Sequence, residues 1–189
     1  MNQQQIIDSM IEHPVIAAVR DSKDLPLALV SPVRFVFFLS GSINTVKDLC
    51  DRVIAAHKAC FLHIDLLDGL KTDAAGLQYI YDTVQPTGII TTKTAAIRHA
   101  KKLGLITIQR VFLLDSTALA EGAENVRTCQ PDLVEVLPGL SAEAIQMASE
   151  AFNRPLIAGG LIQNRGMLYR ALSAGALAVS TGRTDLWYL

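Results

Sequence analysis

Along the 189-residue chain, short β-like apolar runs alternate with helix-like segments from end to end. The runs are Val15–Val19, Phe35–Leu39, Phe61–Leu66, Gly88–Thr91, Ile106–Arg110, Leu133–Leu137, Pro155–Ala158 and Ala176–Val179. Alternation of this kind predicts an α/β fold with a parallel sheet, and eight strands predict a (β/α)8 TIM-like barrel. Such barrels usually need about 200 residues or more. Clipped helices and short loops are therefore expected, with a flavodoxin-like open sheet as the alternative.

Helical periodicity fills the intervals unevenly. An opening helix runs from Gln3 to Glu12 and stops at His13-Pro14. From Asn44 to His57 the apolar residues Val46, Leu49, Val53 and Ile54 share one face, with Asn44 or Thr45 placed to cap the start. Thr92 or Thr94 is placed to cap a helix through Ile97 and Ala100 to Leu103, stopped by Gly104, and Ser141 one that buries Ile145, Ala148 and Phe152. A further helix covers Asn164 to Ala174. The segment Lys23 to Val30, short and interrupted by Pro26, is the weakest crossover. No repeat, low-complexity tract or linker breaks the pattern, so one domain is expected over residues 1–189.

Composition adds a few constraints. Half of the residues are hydrophobic and 19% are charged, and the mean hydropathy is +0.31. This is more apolar surface than a small monomer's interior holds, which predicts a homo-oligomer, a homodimer first. A net charge of −1 excludes a global basic field, so any nucleic-acid contact needs a local patch. Cys50, Cys60 and Cys129 form no CxxC or Cys/His pattern and are expected as free thiols, without zinc or disulfides. The N-terminus lacks a signal-peptide pattern, and no run of about 18 apolar residues occurs. A soluble cytoplasmic protein with no membrane contact is expected.

In a barrel the chemistry belongs at the C-terminal ends of the strands. There the last third of the chain places Gly159-Gly160 after one strand and Ser180-Thr181-Gly182 after the next. Glycines let backbone N–H groups approach an anion without a Cβ in the way, and the loops after the seventh and eighth barrel strands often hold phosphate. Around the same rim stand Arg20, His63, Asp65, Lys93, Arg110 and Glu135. His63 and Asp65, two apart on a predicted strand, share a face and form an acid/base or hydrogen-bonding pair. Each feature alone also fits a tight turn, a structural His–Asp pair or a closed ion network. Together they imply a small phosphorylated polyol or sugar: Arg20, Lys93 and Arg110 attract the anion, and Asp65 and Glu135 accept bonds from hydroxyls.

The strings HIDLLDGLKTD (His63 to Asp73), TIQRVFLLDS (Thr107 to Ser116), PDLVEVLPG (Pro131 to Gly139), PLIAGGLI (Pro155 to Ile162) and TDLW (Thr184 to Trp187) resemble the glycerol-3-phosphate-responsive antiterminator family, the glycerol uptake operon antiterminators. The resemblance runs from about Pro14 to the C-terminus. It implies a small barrel-like regulator that binds glycerol 3-phosphate and then leader mRNA of glycerol-utilisation genes, letting polymerase pass a terminator hairpin. It implies no cofactor beyond that effector, no catalytic residue and no metal. Gly182-Arg183 departs from the small polar residues usual in the family's last loop; Arg183 either contacts phosphate or faces solvent.

For RNA the chain offers modest patches: Arg98, His99, Lys101 and Lys102 on one helix, and Arg165, Arg170 and Arg183 near the C-terminus. The first also reads as an ordinary solvated helix face. A competing class is a barrel enzyme, a glycerophosphodiester hydrolase or phosphosugar isomerase, with His63 or Glu135 as base and Lys93 or Arg110 stabilising negative charge. No ligand set for a catalytic metal and no nucleophile with an adjacent base supports it. A third reading is a metabolite-binding barrel that signals to a protein partner.

Overall fold

A computed structural model describes residues 2–189 as a closed barrel of eight parallel strands in chain order. The strands are β1 (Val15–Val19), β2 (Phe35–Phe38), β3 (Ala59–His63), β4 (Gly88–Thr91), β5 (Ile106–Phe112), β6 (Leu133–Leu137), β7 (Leu156–Gly159) and β8 (Ala178–Thr181). β8 closes on β1 with Val15 beside Val179 and Ala17 beside Thr181. Helix α1 (Gln3–Glu12) precedes the barrel. The crossovers carry α2 (Leu25–Val30), α3 (Val46–Ala55), α4 (Ala74–Tyr79), α5 (Thr94–Lys102), α6 (Ser116–Cys129) and α7 (Ala142–Phe152), followed by α8 (Arg165–Ser173).

The period of two along each strand sorts residues into two cores. One lies inside the barrel: Ile16, Phe35, Phe37, Phe61, Ile90, Ile108, Leu133, Ile157 and Ala178, joined by Ile6 and Met10 of α1. That contact makes α1 a plug for the end where the strands begin. The alternate positions, among them Val36, Leu62, Val134 and Val179, meet the helices outside. Gly122 of α6 lets that helix lie close to the sheet, since a Cβ there would come within 2.8 Å of Val111 and 3.2 Å of Phe152.

Several boundaries differ from the sequence pattern, for identifiable reasons. The third strand ends at His63, and Ile64–Leu66 form a 3-10 turn. The Asp65 carboxylate draws the chain out of the ladder by accepting hydrogen bonds from the Thr91 hydroxyl, the Thr92 N–H and the Thr92 hydroxyl at 2.8–2.9 Å. Thr92 is thereby diverted from capping α5; Lys93 takes the N-cap position without a side-chain bond, and Thr94 opens the helix. Likewise Thr45 occupies the N-cap of α3 without capping it. Ser141 does cap α7, accepting from the Ala144 N–H. β7 extends to Gly159 and β8 to Thr181, so that Gly159, Ser180 and Thr181 are strand residues and the last loop begins at Gly182.

The short segment over Lys23–Val30 is a 3-10 turn (Ser22–Asp24) followed by α2, with Pro26 accommodated in its first turn. Two helices lacked a singled-out sequence signal: α4, which runs into a π turn over Ile80–Val84, and α6, capped by Asp115 through the Ala118 N–H. Cys50 and Cys60 are free thiols whose sulfurs lie 3.1 Å apart between α3 and β3. Among the described residues no helix is long and apolar enough to cross a membrane.

Candidate functional site

The barrel interior turns polar toward the C-terminal mouth, on the strands of the second half. Arg110 and Glu135 are direct neighbours across the β5–β6 ladder. Both are buried, and the Arg110 fork donates to a single carboxylate oxygen, Nε at 2.8 Å and Nη2 at 2.7 Å from Glu135 Oε2. Oε1 accepts from Ser180 Oγ at 2.6 Å. An ion pair this buried is tolerable only when its remaining polar atoms are satisfied, and Ser180 supplies that closure. Gly159 makes the room: a Cβ there would lie 2.5 Å from Ser180 Oγ and 2.7 Å from Glu135 Oε1.

Above this layer is a cavity of about 330 Å³ whose wall includes Arg20, Arg110, Glu135, Gly160, Ser180, Thr181, Gly182 and Arg183. Gly160 has φ of +75°, a left-handed conformation that favours glycine. Gly160 and Gly182, the first residues beyond β7 and β8, bring bare backbone to the cavity wall. Thr181 holds the two glycine loops together: its hydroxyl donates to the Ile162 carbonyl at 3.0 Å and accepts from the Arg183 N–H, while its own carbonyl accepts from Trp187 Nε1 at 2.8 Å. The closing 3-10 turn, Thr184–Tyr188, thus ties the end of the chain to the rim. Arg183 pairs with Asp185 at 3.0 Å, half-exposed at the edge of the cavity.

His63 stands on the inner face of β3 with 3% exposure, and its Nδ1 is buried without a hydrogen-bond partner. Burial lowers its pKa to about 4, with Arg110 and Arg20 adding to the shift and Asp65 opposing it. The imidazole is therefore neutral at pH 7, its unpartnered Nδ1 buried outside the lining of the cavity. It shares no hydrogen bond with Asp65, because the turn at Ile64 takes Asp65 off the strand face on which periodicity placed it. Burial raises the Asp65 pKa, but its bonds from Thr92 and Thr91 outweigh this and hold it below the ordinary value. Lys93 Nζ donates to Thr72 Oγ1 at 2.6 Å and lies 3.9 Å from Asp65. Asp65 and Lys93 thus border a separate, shallower hollow with Lys71 and Thr72.

The structure accordingly gathers Arg20, Arg110, Glu135, Gly160, Ser180, Thr181, Gly182 and Arg183 around one cavity, with Gly159 beneath them, and sets Asp65 and Lys93 beside it. Sequence reasoning missed Gln163, whose side chain completes the wall on the β7 loop. Its signal was its place three residues beyond Gly160. On α5, Arg98 and Lys102 are exposed, whereas Lys101 is bound to the Gln130 carbonyl and to Asp132. Arg165 and Arg170 are exposed on α8. A larger cavity, about 880 Å³, opens at the opposite end of the barrel, away from these groups.

Chemically, the mouth offers two glycine loops, guanidinium groups and a carboxylate whose two oxygens already accept three bonds. This suits recognition of an anion bearing hydroxyls better than proton abstraction. Among the described residues no group of three or more His, Cys, Asp or Glu side chains converges as a metal site.

Comparison with known proteins agrees with this architecture. The chain is 34% identical to the protein named "Uncharacterized protein YgcP" of Escherichia coli (strain K12), over 94% of this chain and 93% of that one. The crystal structure of a glycerol uptake operon antiterminator regulatory protein from Listeria monocytogenes superposes with a TM-score of 0.88 at 34% identity, covering 92% and 94% of the two chains. That of a glycerol uptake operon antiterminator-related protein from Thermotoga maritima gives 0.84 at 29% identity, covering 94% and 99%. The sequence profile described as glycerol-3-phosphate responsive antiterminator matches residues 15–187, and the chain belongs to that family.

Proposed function

We propose that this chain is a cytoplasmic transcription antiterminator that binds glycerol 3-phosphate in the barrel mouth and then the leader mRNA of glycerol-utilisation genes. The observation that carries the effector is the convergence of the Gly160 and Gly182 loops with Arg110, Arg20 and Arg183 on one 330 Å³ cavity. In this reading the phosphate lies against the two glycine loops and the outer guanidinium groups. The glycerol hydroxyls reach down to Glu135, which lines the floor of the cavity.

Thermal melts with glycerol 3-phosphate, glycerol and inorganic phosphate test this. A ligand at about 100 times its Kd stabilises by roughly 2.7 kcal/mol, or about 5–10 °C for a chain of this size. The shift is expected with glycerol 3-phosphate and not with either fragment. Gly182→Leu is the matched variant: a Cβ there meets only the Ala18 carbonyl, at 3.5 Å, so the fold tolerates it while the side chain crowds the anion. A variant that still shifts like the wild type would remove the phosphate from these loops. For the RNA step, linkage requires RNA and glycerol 3-phosphate to tighten each other's binding by the same factor. Identical effector affinity with and without RNA would end that part of the reading.

A further inference from the structure

We propose that RNA lies along the N-terminal face of the barrel, at the end opposite the metabolite cavity, with its phosphates on Arg34, Lys58, Arg98, Lys102 and Arg154 and a base stacked on Tyr81. This rests on the reading of the chain as an RNA-binding antiterminator and names the surface that such a reading lacks.

The placement follows from the strand order. Arg34 immediately precedes β2, Lys58 precedes β3, Lys102 ends the helix before β5, and Arg154 stands two residues before β7. Since the strands run in chain order around the barrel, these cations form an arc under β2 to β7. Below β2 to β4 the arc borders the 880 Å³ groove, whose wall includes Arg34, His57, Lys58 and Tyr81. Gly104, two residues beyond Lys102, lines its far side and joins it to the second part of the arc. There Lys101 donates to the Gln130 carbonyl and Arg154 to the Gln130 side chain, which places the two together, with Arg98 one turn before Lys101 on the same helix.

The distribution of charge favours an anionic strand on this face. Lys101 is neutralised by Asp132 and Arg127 by Glu124. Arg34, Lys58, Arg98, Lys102 and Arg154 have no carboxylate within 4.0 Å among the described residues. On the groove wall Arg34 and Lys58 are matched by Glu12 and Asp82, and the excess of positive charge comes from Arg98, Lys102 and Arg154 beyond it. Lys58 donates to the carbonyls of Ser31 and Val33 at 2.7 and 2.5 Å, which anchors the ammonium and leaves one of its three donors unused. The opposite rim suits RNA less: its loops after β1 and β3 carry Asp21, Asp24, Asp65, Asp68 and Asp73 against Arg20, Lys23 and Lys71.

Tyr81 supplies the second component that single-strand recognition uses. It is 43% exposed on the π turn at the groove wall, an aromatic face beside cations, and every base has a π face to lay against it. Direct binding of phosphates by cations is sequence-independent, so selection of a particular leader would come from bases held near Tyr81 and from the shape of the RNA.

The test is fluorescence polarisation of a labelled single-stranded RNA of mixed sequence across a salt series, with saturating glycerol 3-phosphate. The triple variant Arg34→Glu, Lys102→Glu, Arg154→Glu should weaken binding about 10-fold or more and flatten the salt dependence by about 0.7 in slope for each phosphate that is no longer neutralised. Tyr81→Ala should cost roughly 5- to 100-fold. The rim variant Lys71→Glu, Arg165→Glu should bind RNA like the wild type. Unchanged melting temperature and unchanged glycerol 3-phosphate affinity certify that the triple variant is folded. If the wild type binds RNA and the triple variant binds equally well, or the rim variant is the one that fails, this surface is wrong and the antiterminator reading stands. If the wild type itself ignores RNA at low salt, the RNA step of the proposed function falls, and this surface with it.

Discussion

The two halves of the barrel interior are built from different chemistry. On β1 to β4 the inward positions are filled by Ile16, Ala18, Phe35, Phe37, Phe61 and Ile90, with His63 at the top of β3 the polar exception, and the Phe37 and Phe61 rings meet edge-on at 5.4 Å between centroids. On β5 to β8 the lower inward positions are equally apolar, but the upper ones are Arg110, Glu135, Gly159 and Ser180. Close-packed aromatic side chains stabilise directly through burial and dispersion. A buried ion pair stabilises little on net and is costly to break. The first half therefore holds the barrel together, and the second uses that stability to keep charged groups ready at the mouth.

Single and paired substitutions separate these roles most sharply. Phe37→Ala should cost about 3–5 kcal/mol through reduced burial and a residual cavity, lowering Tm by roughly 2–4 °C per kcal/mol, with glycerol 3-phosphate affinity retained. Glu135→Ala should cost a similar 3–5 kcal/mol, because Arg110 is left charged and buried. The difference appears in the second step. Replacing both members, Arg110→Met with Glu135→Leu, should restore stability to the wild-type value or above while abolishing the effector-induced shift in Tm. A double variant as unstable as Glu135→Ala would mean that the pair is structural in its own right. One that still binds glycerol 3-phosphate would move the site elsewhere.

Gly159 sharpens the contrast at one position. Gly159→Ala drives a methyl group toward Ser180 Oγ and Glu135 Oε1, an overpacking expected to cost about 1–3 kcal/mol. Adding Ser180→Ala removes the closer of the two clashes. The double variant should therefore be less destabilised than the sum of the single ones, by about 0.5 kcal/mol or more in a double-mutant cycle. Simple additivity would show that Gly159 matters for its backbone alone.

The half-barrels also differ in their response to pH, through His63. Its native pKa is about 4, against an ordinary 6.5 in the unfolded chain. Between those values the unfolded state binds more protons than the native state, so stability falls as pH falls from 6.5 to 4, by roughly 3 kcal/mol over the full interval. His63→Gln should flatten this part of the profile. Asp65 acts in the same direction at lower pH: its depressed pKa contributes stability above the ordinary carboxylate range, lost as pH falls through the native value. Denaturant titrations across pH distinguish the two, since the Gln variant changes only the upper window.

The fold was legible because alternation of runs is a local property, and every strand lies within a few residues of its predicted position. The sequence pattern put Arg20, Arg110, Glu135, Gly160, Ser180 and Thr181 at strand ends that line one cavity, but did not show how they group. Nothing local shows that Arg110 stands beside Glu135, because that depends on the β5–β6 register, nor that Ser180 closes the pair from β8. The His63–Asp65 pattern was misleading because period-two reasoning assumes that the strand continues, and Thr91 and Thr92, from another strand end, interrupt it. Helix α6 escaped notice although Asp115 is a good cap; its Gly122 serves close packing rather than helix propensity. The arc of cations under the barrel is invisible in sequence, since its members come from separate loops that only closure brings together.

The smallest effect tests the join between the glycine loops. Thr181→Val preserves shape and burial but removes the donor to the Ile162 carbonyl and the acceptor for the Arg183 N–H. Such bonds are worth about 0.5–1.5 kcal/mol each on net, which is small in Tm. The loops they join are where the phosphate is proposed to sit, so the loss should appear mainly as faster release of glycerol 3-phosphate, since a less ordered site must be ordered on each binding event. Trp187 reports on this directly: it is the chain's one tryptophan, its indole bonded to the Thr181 carbonyl. Stopped-flow fluorescence should therefore show a raised dissociation rate in Thr181→Val with Tm lowered by only a few degrees. If instead Tm falls and the release rate is unchanged, the clamp belongs to the stability of the barrel's closure between β8 and β1, and the loops are positioned without it.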